Sequence, residues 1–230
     1  MGSRVTVIGR NPQWLPQEEP EISDLARRKM SRHLKIFTGW AVEAVARTPK
    51  GTKRIIAKDV RTGKSKTVES DEILIAAGRC SNADILKPER SEIETDANGW
   101  IKVSPYLETS KSNIWAFGDA TGKHPFKHVA NYESRVVYYN AVLKENVKAD
   151  YRAIPHAVFS VPEIAAVGLT ESQASRKYGA DRLRIGFNRF QDTARGEAMN
   201  LKDYFVKVII DRRDEMILGA HIIGPHASML

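Results

Sequence analysis

Residues 109–119 read TSKSNIWAFGD, an apolar run over Ile114, Trp115, Ala116 and Phe117 that stops at Gly118 and Asp119. A strand closed by Gly-Asp brings backbone close to a ligand, because glycine has no Cβ in the way, and it presents a carboxylate that accepts hydrogen bonds from a polyol. The same dipeptide also serves as a tight turn with an Asx cap, so taken alone it leaves both uses open. Two earlier segments have the same form: residues 4–8 (RVTVI) run into Gly9, and residues 72–76 (EILIA) run toward Gly78. Compact apolar runs ending in glycine read as buried strands leading into loops.

The remaining pattern extends outward from these strands. Ile22, Leu25, Ala26, Met30 and Leu34 recur at helical spacing, with acids early and bases late, and predict a helix over 21–34. Short β-prone segments at 42–45, 54–60 and 66–68, separated by Gly51 and Gly63, predict an antiparallel meander. Residues 100–103 and 113–117 read as further strands, and Val129, Tyr132, Val136, Tyr139 and Val142 place a helix over 128–142. Near Tyr151 the character changes. Alternating segments at 183–187, 205–210 and 217–223 predict an antiparallel sheet, with one helix over 171–178 behind the N-cap Thr170.

The chain has 230 residues, 42% of them hydrophobic and 28% charged, the composition of an ordinary globular protein. No apolar run is long enough to span a bilayer, and residues 1–4 lead into a strand and not into a signal sequence, so the expected setting is cytoplasmic. The net charge of +8 raises nucleic acid as a partner. Its distribution opposes that: Arg27, Arg28, Lys29, Arg32 and Lys35 lie along the expected helix, and the other bases are interspersed with acids. Cys80 is the single cysteine, which excludes an internal disulfide, a CxxC pair or a cysteine zinc cluster. It is expected to be a small packing side chain. No metal site is expected.

Five segments in order resemble the flavoprotein pyridine nucleotide-disulfide oxidoreductases: residues 73–79 (ILIAAGR), 109–119, 125–130 (PFKHVA), 159–171 (FSVPEIAAVGLTE) and 219–228 (GAHIIGPHAS). The resemblance implies an α/β fold, Rossmann-like three-layer ββα dinucleotide-binding segments followed by an α+β dimerisation domain. Residues 1–77 are then the second part of the NAD(P)-binding domain, 78–150 the returning part of the FAD-binding domain, and 151–230 the interface domain. It implies that FAD is held by Gly118 and Asp119, with Pro125, Phe126, Lys127 and His128 at a helix start beneath the flavin. His128 is equally readable as a packing or capping residue. The nucleotide set is Gly9, Arg10, Ala41 and Gly78. An arginine instead of an acid after the strand at 4–8 favours NADP over NAD, because a guanidinium suits a phosphate monoester.

By the same resemblance, the family's first glycine-rich loop, its paired redox cysteines, its nucleotide glycine loop and its His-Pro and glutamate acid-base pair all fall outside residues 1–230. No catalytic residue is therefore assigned within them. The expectation is a portion of a homodimeric enzyme that moves electrons between NAD(P)H and a small-molecule or lipoyl disulfide, as dihydrolipoyl dehydrogenase or mycothione reductase does, and that is inactive alone. The rival expectation is a non-catalytic nucleotide-binding or dimerisation module.

Overall fold

The computed structural model describes residues 2–230; Met1 lies outside them. Residues up to Leu74, together with Pro155–Leu230, form one compact unit, and Ile75–Ile154 form another. The protein is a mixed α/β fold.

In the first unit, β1 (Val5–Gly9) pairs in parallel with β2 (Leu34–Thr38), Val5 opposite Leu34 and Gly9 opposite Thr38. The helix α1 (Pro20–Met30) connects them, the right-sized crossover for a parallel pair. Proline opens this helix, where its lack of an N–H costs nothing, and Arg27, Arg28 and Lys29 complement the dipole at its end. The helix stops four residues short of the expected end: Leu34 and Lys35 belong to β2, so the basic residues do not share one helix face. Nor is β1 buried, for Val5 is 45% exposed and, among the described residues, β2 is the only strand that pairs with it.

The expected meander forms. Strands β3 (Trp40–Arg47), β4 (Lys53–Asp59) and β5 (Ser65–Ser70) pair antiparallel in sequence order. Residues 72–76 do not form the predicted strand. They find no ladder partner among the described residues, and Leu74 and Ile75 are 91% and 84% exposed. An apolar run makes a buried strand only where neighbouring strands take up its backbone groups.

The C-terminal part of this unit is a five-stranded antiparallel sheet in the order β6-β7-β10-β9-β8, built from β6 (Pro155–Val158), β7 (Glu163–Gly168), β8 (Leu183–Arg189), β9 (Phe205–Asp211) and β10 (Ile217–Gly224). Ile22, Leu25 and Ala26 of α1 pack with Ile164, Phe205 and Ile223 of this sheet to form the main core.

The second unit holds α2 (Lys127–Ala141), close to the predicted bounds, with Val129 and Val136 buried. The strands expected at 100–103 and 113–117 reduce to single bridges, Thr95 with Ile101 and Glu108 with Trp115. The helix α3 (Glu171–Tyr178), back in the first unit, starts from Thr170 through a reciprocal capping box with Gln173, which satisfies two otherwise orphaned N–H groups. A short α4 (Ala194–Ala198) lies between β8 and β9.

Candidate functional site

Extended backbone at Phe117 gives way to a single 3-10 turn over Gly118–Thr121, closed by Gly122 in the left-handed region. Gly118 itself has φ +64, and a Cβ there would stand 3.0 Å from the Ala130 Cβ of α2. Both the left-handed backbone and the tight approach to Ala130 therefore favour glycine. The turn is tied internally by the Thr121 hydroxyl, which donates to the Gly118 carbonyl at 3.0 Å. The Gly118 N–H donates at 2.5 Å to Glu133 Oε2, a carboxylate buried within α2.

Asp119 is half exposed, with Oδ2 3.5 Å from Arg79 Nε, and Arg79 Nη1 donates to the Pro125 carbonyl at 3.3 Å. One guanidinium thus spans from the Gly-Asp turn to the segment that starts α2. Phe126 is the N-cap of α2 and its ring stacks on His128 with centroids 5.4 Å apart, while Lys127 and His128 are exposed. No acid occupies the first turn, so the positive end of the helix dipole is not offset locally. Beside the turn lies a cleft of about 590 Å³ bordered by Gly78, Arg79, Cys80, Trp100 and Asp119, among others. Gly78 sits on it at φ +100. Cys80 is exposed on this cleft, contrary to its expected packing role.

Gly9, Arg10 and Ala41, the other residues expected to meet the nucleotide, lie in the first unit. Gly9 ends β1 where β2 also ends at Thr38, Arg10 follows it exposed, and the Asn11 carbonyl accepts from Gly39 N–H at 2.8 Å. Ala41 lies near the start of β3. In α/β sheets, ligands bind beyond the carboxyl ends of parallel strands, and Gly9 and Arg10 stand at that position. Phe37 and Trp40 are packed edge to face there, with Lys66 Nζ 3.9 Å from the Phe37 centroid and 4.7 Å from that of Trp40.

Sequence reading missed Arg79 as the partner of Asp119, and it missed Glu133 and Tyr151. The Tyr151 hydroxyl donates at 2.6 Å to Glu133 Oε1, and burial, then the neighbouring carboxylate, pushes the phenol pKa well up. The available signal was an acid at the buried spacing between Val129 and Val136. Also unforeseen was Lys207, whose ammonium lies 2.9, 2.9 and 2.7 Å from Glu19, Glu21 and Glu171. These carboxylates converge as metal ligands can, but here they surround a buried cation.

Residues 1–142 match the pyridine nucleotide-disulphide oxidoreductase family, and residues 154–230 match its dimerisation domain. The chain belongs to the pyridine nucleotide-disulphide oxidoreductases. It is 35% identical over 235 residues to a mycothione reductase of Mycobacterium tuberculosis, covering 100% of this chain and 49% of that protein. To a dihydrolipoyl dehydrogenase of Bacillus subtilis it is 33% identical over 231 residues, covering 99% of this chain and 47% of the relative. Among solved structures it is similar to LpdA from Mycobacterium tuberculosis, with a TM-score of 0.85 and 26% identity over 99% of this chain and 48% of that one. The HOCl-induced flavoprotein disulfide reductase RclA from Escherichia coli, solved as a Cu(II) complex, gives 0.84 and 27% over 99% of this chain and 50% of that one. The chain spans about half the length of the curated relatives it matches. Members of this family use FAD and NAD(P)H, and no helix among the described residues is long and apolar enough to cross a membrane.

Proposed function

We propose that this chain supplies the flavin-ribityl turn, part of the nucleotide site and the dimer-forming sheet of an FAD-dependent oxidoreductase that passes electrons between NAD(P)H and a disulfide or dithiol, in the manner of dihydrolipoyl dehydrogenase or mycothione reductase. The observation that carries the reading is the Gly118-Asp119 turn, which places a half-exposed carboxylate on an open cleft. Those residues fit a polyol: φ +64 and the nearby Ala130 Cβ favour glycine at 118, which leaves the backbone open, and Asp119 offers acceptors at the cleft wall. Gly118, Asp119 and the Pro125, Phe126, Lys127 and His128 segment would hold FAD, which supplies the two-electron carrier when bound. The chain's own contribution is to accept hydroxyl hydrogen bonds at Asp119 and to present the positive end of α2 to a flavin oxygen.

Gly9, Arg10, Ala41 and Gly78 make up the nucleotide set, with Arg10 directed at the extra phosphate of NADP. The domain division at 77 and 150, a homodimer formed through 151–230, a cytoplasmic setting and inactivity of the chain in isolation belong to the same proposal. Support for the dimer is the match of 154–230 to the family's dimerisation domain.

The test is a fluorescence titration of the purified chain with FAD beside its Asp119→Ala variant. Saturable binding that the substitution weakens about tenfold, the worth of one hydrogen bond to a charged group, is the expected result. Binding indifferent to Asp119, or none at all, sinks the assignment of the flavin turn to this segment.

A further inference from the structure

Glu133 is only 1% exposed, yet it stands in an amphipathic helix where an apolar side chain would pack at no cost in desolvation. Its two oxygens divide between two donors from distant parts of the second unit: Oε2 takes the Gly118 N–H at 2.5 Å and Oε1 takes the Tyr151 hydroxyl at 2.6 Å. The first of these bonds fixes the peptide plane between Phe117 and Gly118. Gly118, at φ +64 and without a side chain, is held on its carbonyl side by the Thr121 hydroxyl at 3.0 Å and on its N–H side by Glu133. The peptide that follows carries Asp119. The second bond fixes the rotamer of Glu133 from outside the helix, and the Tyr151 ring is itself held against His124, centroids 4.7 Å apart.

We infer that Glu133 is a positioning residue for the flavin turn, acting through the Gly118 N–H and itself held by Tyr151, so that Tyr151 and Glu133 together set how Asp119 meets the cofactor. This rests on the proposed flavin reading of Gly118-Asp119. A buried acid serving stability alone would influence the whole of α2, whereas a positioning acid controls one amide. The distinction is open to experiment because glutamine retains the required acceptor: in Glu133→Gln the amide oxygen accepts from Gly118, and the Tyr151 hydroxyl rotates to accept from the amide N–H instead of donating. Leucine retains neither contact.

The experiment is amide hydrogen exchange of the full chain by NMR, comparing Gly118 with Val136 inside α2, alongside FAD titrations, for the wild type, Glu133→Gln, Glu133→Leu and Tyr151→Phe. Exchange at Gly118 is expected to be slow in the wild type and Glu133→Gln and to accelerate roughly tenfold or more in Glu133→Leu, with Val136 unchanged. FAD affinity is expected to fall about tenfold in Glu133→Leu, a few-fold in Tyr151→Phe and less than about threefold in Glu133→Gln. If Glu133→Leu does not fold, Tyr151→Phe carries the test with the same pair of amides. Unchanged Gly118 exchange in Glu133→Leu, or in Tyr151→Phe where the leucine variant does not fold, overturns the inference, as does equal acceleration at Gly118 and Val136. If Gly118 responds as expected while the wild type binds no FAD, the flavin reading fails and the anchoring of the turn by Glu133 stands. If FAD binds through Asp119 but with the same affinity in every Glu133 and Tyr151 variant, the positioning role fails and the flavin reading stands.

Discussion

Lys207 Nζ and Glu19 Oε2 meet at 2.9 Å with both side chains 2% exposed, which joins β9 to the residue just ahead of α1. Burial pulls the ammonium pKa down, but the carboxylates of Glu171, Glu21 and Glu19 outweigh it and hold it well above the ordinary lysine value. Strand alternation explains the placement: Phe205, Lys207, Ile209 and Asp211 share the inward face of β9, so a lysine at that register enters the core and must find anions there. Lys207→Met leaves Glu19 buried without its cation and is expected to cost about 3–5 kcal/mol, read by denaturant unfolding. Adding Glu19→Gln is expected to recover part of that loss.

His156 Nε2 lies 2.8 Å from a Glu18 oxygen, and that hydrogen bond raises the imidazole pKa against the opposing effect of burial. A raised folded-state pKa contributes stability that is complete below the unfolded value near 6.5 and is lost as pH climbs through the folded value. The difference in melting temperature between the wild type and His156→Gln is therefore expected to shrink steadily from pH 6 to pH 8.

How much of this was legible in the sequence depends on where each residue's partners lie. The meander, α2, α3 with its Thr170 cap and the C-terminal sheet follow from local periodicity and turn chemistry, and their partners are close in sequence or in one sheet. Residues 72–76 have the composition of a core strand but no ladder to join among the described residues. Helix α1 was predicted too long because Leu34 fits a helical period and a strand start equally well. At the site, Gly118 and Asp119 announce themselves by residue type, whereas Arg79, Glu133 and Tyr151 are recognisable only once the fold brings them to that turn from 39 residues before Gly118 to 33 after it.

Gly122 closes the turn that carries Asp119 at φ +68, and a Cβ there would stand 2.4 Å from the Trp100 ring. Gly122→Ala is expected to cost about 1–3 kcal/mol in backbone strain, with a further loss from displacing the indole. Asparagine tolerates the left-handed conformation but keeps the collision, so Gly122→Asn is expected to remain destabilised. Thermal unfolding of both variants separates the two contributions.

Arg10 stands exposed just beyond Gly9, where a phosphate monoester can approach without a neighbouring acid in β1. Arg10→Glu is expected to weaken 2′,5′-ADP by about tenfold or more and to leave 5′-AMP nearly unchanged, by calorimetric titration. Equal losses for both ligands would show that the guanidinium does not read the extra phosphate.

The first compact unit is discontinuous along the chain: the α1 face of Ile22, Leu25 and Ala26 is completed only by Ile164, Phe205 and Ile223. A ribosome making this protein releases α1 well over a hundred residues before the sheet that covers it. The continuous segment Ile75–Ile154 can finish first, while the helix waits with its apolar stripe uncovered. The cover of that stripe is thus complete only once β10, with Ile223, has been made.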